Sequence, residues 1–74
     1  MRSVVLRKLL RRRPFPGLRL HLSGGIVFDI HDPDLVVLSR SVIEILVPST
    51  GSPDREAVVN LLQVIWVEVL ELEP

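Results

Sequence analysis

The sequence contains no cysteine and no tyrosine, and its 74 residues include only two phenylalanines and one tryptophan. Without cysteine there can be neither disulfide bonds nor thiolate zinc sites, which commonly reinforce small domains. A chain of this size buries only ~60% of its unfolded surface, so oligomerisation is the remaining source of stability. No apolar run approaches the ~20 residues of a membrane-spanning helix. We therefore predict a single domain over residues 1–74 with no membrane partner.

The formal net charge is zero, with nine basic and nine acidic side chains, but the two signs are separated along the chain. All charges in the first twenty residues are basic, and all charges after Arg55 are acidic. One interpretation is a basic arm that meets nucleic acid or another anionic surface. We favour the alternative that the two ends lie side by side, within one subunit or between neighbours. Because Arg7 and Lys8 interrupt the apolar segment 4–10, a secretory signal does not fit, and we expect a cytoplasmic protein.

Residues 3–13 have the spacing of a short amphipathic helix, since Val5–Leu9 and Leu6–Leu10 are pairs of apolar residues four apart. Ser3 suits the N-cap, and Pro14 ends the helix because proline has no amide hydrogen and disfavours helical geometry before it. An isolated helix this short is marginal, so we expect its apolar stripe to pack on the rest of the domain.

Two runs of alternating apolar and polar residues flank Ser23-Gly24-Gly25 and predict a β-hairpin. Residues that oppose each other in a hairpin share a face, so apolar residues must pair with apolar ones. This requirement gives a three-residue loop, with Gly25 in the left-handed conformation. The predicted pairs are Leu22 with Ile26, Leu20 with Phe28, Leu18 with Ile30, Arg19 with Asp29, and His21 with Val27.

The rest of the chain is rich in valine, isoleucine and leucine and predicts further strands. Turn or loop signals separate these strands at 32–34, 39–41, 48–54 and 61–63. Residues 35–47 form either two strands or one long strand bent in the middle. We predict a mainly β fold, in which a short N-terminal helix precedes a five-stranded, strongly bent antiparallel sheet.

The order of a short helix, a sharp hairpin and several short strands resembles the Sm-like family, which includes the bacterial RNA chaperone Hfq. Leu18-Arg-Leu-His-Leu-Ser-Gly-Gly looks like the opening of the family's first motif, and Leu35-Val-Val-Leu resembles its apolar third strand. Arg13-Pro-Phe-Pro and His31-Asp-Pro-Asp also resemble segments of a group of short bacterial proteins, which implies no activity. The resemblance implies a small β-barrel of Sm-like or SH3-like type and, for the Sm-like family, RNA-binding rings.

The RNA-binding residues of the Sm-like family have no counterparts in this sequence. Leu35-Val-Val-Leu lacks the family's asparagine, and Leu61-Leu62 stands where the family has Arg-Gly. Single-stranded RNA is usually bound by stacking on aromatic side chains, so binding here would depend on phosphate charge alone. The candidate nucleic-acid contacts are Arg7, Lys8, Arg11, Arg12 and Arg13.

His21, His31 and Asp29 come nearest to a metal or acid–base site, because they share the outer face of the predicted hairpin. No third histidine and no cysteine completes such a site, and Arg19 with Asp29 is better explained as a cross-strand ion pair. No nucleophile has a base at recognisable spacing. We predict a protein that is not an enzyme, with no catalytic, metal or cofactor-binding residues and no small-molecule substrate.

The segment 64–70 is apolar on both faces, which is unusual for a half-buried strand and invites a partner. Phe28 lies on the predicted core face, and Phe15 is expected to cover one end of the barrel. Trp66 is expected at an interface between copies, and the alternatives for it are the core of its own chain and a ligand-stacking position. We predict a homo-oligomeric protein-interaction module. The predicted interface residues are Val64, Ile65, Trp66, Val67, Val69 and Leu70.

Overall fold

A computed structural model of the chain describes residues 1–47 and 55–70. One helix precedes six strands in this part of the chain, so the predicted mainly β fold with a short N-terminal helix is confirmed. The five-stranded bent sheet and the barrel are not confirmed, because the strands form two separate three-stranded sheets. The elements are α1 (Ser3–Leu10), β1 (Leu18–Leu22), β2 (Val27–Ile30), β3 (Val36–Leu38), β4 (Val42–Val47), β5 (Arg55–Asn60) and β6 (Val64–Val69).

The helix is shorter than the predicted 3–13, and its start is not capped as expected. Arg2 occupies the N-cap with no side-chain capping bond, so Ser3 is the first helical residue instead. Beyond Leu10 the amide of Arg12 donates to the Leu9 carbonyl at 3.3 Å. This bond spans three residues, as in a 3₁₀ turn, and not the four residues of an α-helix. The helix ends before Arg13 because a residue that precedes proline avoids helical geometry.

One side of α1 packs into the protein and the other remains exposed. Leu6 is completely buried, and Leu9 and Leu10 pack against the same core. Val5, which the predicted stripe included, is 46% exposed. It lies about 100° around the helix from Leu6, which turns it away from the core.

The first sheet has the order β2-β1-β6 and contains the predicted hairpin. The register of β1 and β2 is confirmed for the four pairs from Leu18–Ile30 to His21–Val27, and the Leu22 amide donates to the Ile26 carbonyl at 2.8 Å. Gly25 has a φ of +80°, as predicted for the loop. The sequence rule that apolar residues oppose apolar residues therefore gave the correct register.

The second sheet has the order β3-β4-β5. Of the two alternatives for residues 35–47, two strands or one bent strand, the structure shows two strands. These residues form two strands, because Ser39 closes a turn on Val42 through its amide at 2.9 Å and its hydroxyl at 3.0 Å. The predicted turn at 61–63 is also present, as a 3₁₀ turn over Leu61–Gln63. The predicted loop at 48–54 lies outside the described residues, as do residues 71–74 at the end of the chain.

One hydrophobic core joins the helix to both sheets. The amino group of Met1 donates to the Leu61 carbonyl at 2.9 Å, which ties the start of the chain to the turn before β6. Phe28 and Phe15 are partly buried and pack against the core, as expected for Phe28. No helix in the described part of the chain is long and apolar enough to cross a membrane. The buried core residues are Leu6, Leu18, Leu20, Leu22, Ile30, Ile43, Ile45, Val59, Leu61 and Val64.

Candidate interaction surface

The outer face of the first sheet carries two rows of side chains that run across its three strands. Successive residues of a strand point to opposite faces, so the residues between the buried leucines of β1 point outward. The strand register then places neighbours from β2 and β6 beside each of them. One row is Val27, His21 and Trp66, and the other is Asp29, Arg19 and Glu68.

Arg19 and Asp29 form the cross-strand ion pair that the hairpin register predicts. The Arg19 guanidinium donates from Nε to Asp29 Oδ1 at 2.7 Å and from Nη2 to Asp29 Oδ2 at 3.0 Å. This two-point hydrogen bond, supported by the attraction between the charges, raises the pKa of Arg19. The hydrogen bond from Arg19 lowers the pKa of Asp29. Both oxygens of the Asp29 carboxylate are therefore engaged by Arg19.

His21 makes its contacts with the last strand rather than with the two other residues of the suggested site. Its ring stacks on the indole of Trp66, with centroids 4.0 Å apart and planes 6° from parallel. His21 Nε2 lies 3.1 Å from Glu68 Oε1. Among residues 1–47 and 55–70, no group of three histidine, cysteine, aspartate or glutamate side chains is placed to hold a metal ion. The suggested grouping of His21 with His31 and Asp29 therefore does not form a metal site there.

The six predicted interface residues divide between the core and the surface. Val64 is buried in the core of its own chain, whereas Ile65 is 67% and Trp66 50% exposed. The remaining three, Val67, Val69 and Leu70, are partly buried.

A β-bulge explains this division. Pairing with β1 steps from His21–Trp66 to Leu22–Val64, so Ile65 is an extra residue on β6. Such an insertion breaks the alternation of faces, and two consecutive residues of β6 are left exposed. The sequence pattern could not reveal the bulge, because the segment is apolar at every position from 64 to 67.

The five basic residues proposed for nucleic-acid contact, Arg7, Lys8, Arg11, Arg12 and Arg13, are all exposed. Arg13 differs from the others because its guanidinium also donates to the carbonyls of Leu10 at 2.9 Å and Arg12 at 2.8 Å, at the end of the helix.

The polar contacts of this kind among the described residues are the Arg19–Asp29 ion pair and the hydrogen bond between His21 and Glu68, and neither joins α1 to an acidic group. Arg19 of the basic end nevertheless lies directly opposite Glu68 of the acidic end in the β1–β6 register, and, in addition to the Asp29 hydrogen bond, the Glu68 charge contributes to the raised pKa of Arg19. Among the described residues the favoured side-by-side arrangement is therefore seen between β1 and β6 but not at α1, and its form between neighbouring copies stays a prediction. Glu71 and Glu73, which that prediction included, lie outside the described residues.

A mostly apolar cleft of about 160 Å³ opens between the two sheets. Its floor includes Ile30, Val36 and Ile45, and Asp29, His31 and Asp32 stand at its rim. Asp32 is committed to a turn, since its Oδ1 accepts from the Asp34 amide at 2.9 Å. The described lining contains no serine, threonine, cysteine or lysine that could serve as a nucleophile. The exposed face of β6 is thus the stronger candidate for a functional surface.

Comparison with family models, curated proteins and solved structures found no match to this chain. The Sm-like resemblance and the resemblance to short bacterial proteins therefore remain predictions from the sequence.

Proposed function

We propose that the protein is a non-enzymatic interaction module that assembles with copies of itself through β6. The observation that carries this proposal is the exposure of Ile65 and Trp66 side by side on the outermost strand of the first sheet. Tryptophan is prominent among the residues that dominate binding energy at protein interfaces. The edge of β6 away from β1 has no partner strand among the described residues, so a second chain can add to it by backbone hydrogen bonds.

The neighbours of Trp66 support an interface more than a ligand-stacking role. One face of its indole is already covered by His21 at stacking distance. The hydrogen-bonded pair of His21 and Glu68 then adds a polar margin to the apolar centre formed by Trp66 and Ile65. An apolar centre with a polar rim is the usual composition of a protein–protein interface.

The finer fold assignment is part of the same proposal. We infer a small Sm-like or SH3-like barrel built around the two sheets, with α1 packed on it. The strand order supports this assignment, because β1 lies between β2 and β6 and joins the start of the strand region to its end. A cytoplasmic location remains a prediction.

Light scattering after size-exclusion chromatography tests the assembly directly. The full chain is expected to be larger than a monomer, and Ile65→Ser combined with Trp66→Ala is expected to reduce its mass. Leu62→Ser is the matched control, because Leu62 is 84% exposed but lies in the turn before β6. Equal masses for the wild type and the double variant, with both folded by circular dichroism, would exclude β6 as the interface.

A second candidate function is nucleic-acid binding by α1, favoured by the exposure of Arg7, Lys8, Arg11 and Arg12. Contacts of this kind bind phosphates without reading sequence and weaken steeply with salt. Filter binding of short single-stranded RNA and duplex DNA at low and high salt tests it. No retention at low salt would exclude this function.

A further inference from the structure

A groove of about 260 Å³ lies on the outer face of the second sheet, away from the core. Across the strands, Glu44 of β4 stands between Val37 of β3 and Val58 of β5. In the next row Leu46 is paired with Glu56. Acidic and apolar side chains therefore alternate over this face. The groove is lined by Asp34, Leu35, Val37, Glu44, Leu46 and Glu56.

The groove is negatively charged and its apolar residues are open to solvent. No ion pair among the described residues involves Asp34, Glu44 or Glu56. The segments 48–54 and 71–74 contain no lysine, arginine or histidine that could neutralise them. Of the groove's apolar residues, Val37 is 63% and Leu46 38% exposed, and Val58, which lies beside the groove next to Glu44, is 64% exposed. A binding partner for this face needs apolar side chains flanked by cationic ones.

The exposed side of α1 combines apolar side chains with cationic ones. Val4 and Val5 are about half exposed, and the charged residues on the same side are all basic. The eight-residue helix is about 12 Å long, given the rise per residue of an α-helix. Three strands span about 10 Å across a sheet, so the lengths of the two surfaces match. The cations are Arg7 and Lys8 within α1, and Arg11 and Arg12 directly after its end.

We propose that the groove on the second sheet binds the exposed face of α1 from a second copy of the chain. The valines of the helix would cover the apolar floor, and its cations would meet the three carboxylates. The occupant is a second copy because Leu6 fixes the opposite side of α1 in the core of its own chain. Nucleic acid could use the basic helix, but it would leave the acidic groove without a role.

The inference rests on the proposed self-association but names a different contact from the β6 surface. The helix and the groove are different surfaces, so each copy offers one of each to its neighbours. Such a contact is heterologous and leads to a ring when the rotation closes, or to a filament when it does not.

Charge reversal and charge exchange test the contact. Glu44→Lys with Glu56→Lys makes the groove positive, because Asp34 is then its only remaining acid. Arg7→Glu with Lys8→Glu reverses the charge of the two cations that lie within α1. Each pair of changes is expected to raise the dissociation constant of self-association by ~100-fold or more, since like charges brought together cost several kcal/mol. An equimolar mixture of the two variants is expected to assemble again, as each supplies the surface that suits the other.

The chain carrying all four changes is the decisive control. Its net charge equals that of the wild type, and the charges at positions 7 and 8 of the helix are exchanged with those at positions 44 and 56 of the groove. Opposite charges therefore face each other again at these positions, so it is expected to self-associate. Circular dichroism establishes that every variant is folded. If the groove variant keeps the wild-type mass, or if neither the mixture nor the fourfold variant recovers assembly, the inference is wrong.

The outcomes also separate this contact from the two proposed functions. Dissociation by the changes at Ile65 and Trp66, with unchanged mass in both charge-reversal variants, would support β6 and overturn the helix–groove contact. Dissociation by charge reversal alone would support the helix–groove contact and overturn β6. Loss of RNA retention in the helix variant, with no change in mass, would assign the basic face to nucleic acid and overturn the inference.

Discussion

Arg19 and Asp29 are the charged residues whose environment the hairpin register dictates most directly. Their pairing depends only on two positions with opposite charge facing each other on the solvent side, and both positions could be read from the sequence. His21 is the contrasting case. Its partners Trp66 and Glu68 are more than 40 residues away, so no local rule identifies them.

The Arg19–Asp29 pair predicts a specific dependence of stability on pH. Arg19 lowers the pKa of Asp29 in the folded chain, so the pair stabilises the fold above the ordinary pKa of aspartate. That stabilisation is lost as the pH falls through the lowered value, because the unfolded chain then binds the proton more readily. Asp29→Asn is expected to remove this part of the acid dependence in urea unfolding. Arg19→Gln is expected to reduce the dependence of the free energy of unfolding on acid pH by the same amount. If both variants keep the wild-type pH dependence, the assignment is contradicted.

The buried leucines of β1 predict where the fold is most sensitive to truncation. Leu20 is completely buried, so Leu20→Ala removes apolar contacts and leaves a cavity. The expected loss in the free energy of unfolding is about 2–5 kcal/mol. Leu62→Ala is the control, since Leu62 is 84% exposed and its change is expected to be within about 0.5 kcal/mol. Similar losses for both variants in urea unfolding would show that Leu20 is not in the core.

At the scale of elements, the hairpin was predictable and the remaining strand pairing was not. Alternation and a glycine-rich loop determine the register of β1 with β2 locally. The pairing of β1 with β6 joins distant segments, and its bulge is hidden in a continuous apolar run. The sequence does not determine whether β3 and β4 are separate strands, because the turn between them, Ser39-Arg40-Ser41, contains neither glycine nor proline.

The hairpin loop predicts a difference between two substitutions at one position. Gly25 has a φ of +80° with open space where a Cβ would stand, so only backbone conformation opposes a side chain. Gly25→Ala is expected to destabilise the fold by about 1–2 kcal/mol, the cost of left-handed geometry in an ordinary residue. Gly25→Asn is expected to cost less, because asparagine adopts this conformation more readily. Chemical denaturation measures both, and equal costs would contradict the explanation.

At the scale of the whole molecule, the sequence indicated an excess of apolar surface but placed it on one segment only. The structure distributes it more widely. Ile65 and Trp66 are exposed on the first sheet, Val37 and Val58 on the second, and Val4 and Val5 on the helix. The placement could not be read from composition, because it depends on which faces the hydrophobic core of the described residues leaves uncovered.

The central claim is that copies of the chain associate through the face that contains Ile65 and Trp66. Trp66 is the only tryptophan and there is no tyrosine, so intrinsic fluorescence reports on this face alone. Its emission maximum is measured over a dilution series in parallel with the mass from light scattering. We expect the emission to shift to shorter wavelengths as the mass rises, because assembly removes the half-exposed indole from water. A rise in mass with no shift in emission, or a monomer at every concentration, would contradict the claim.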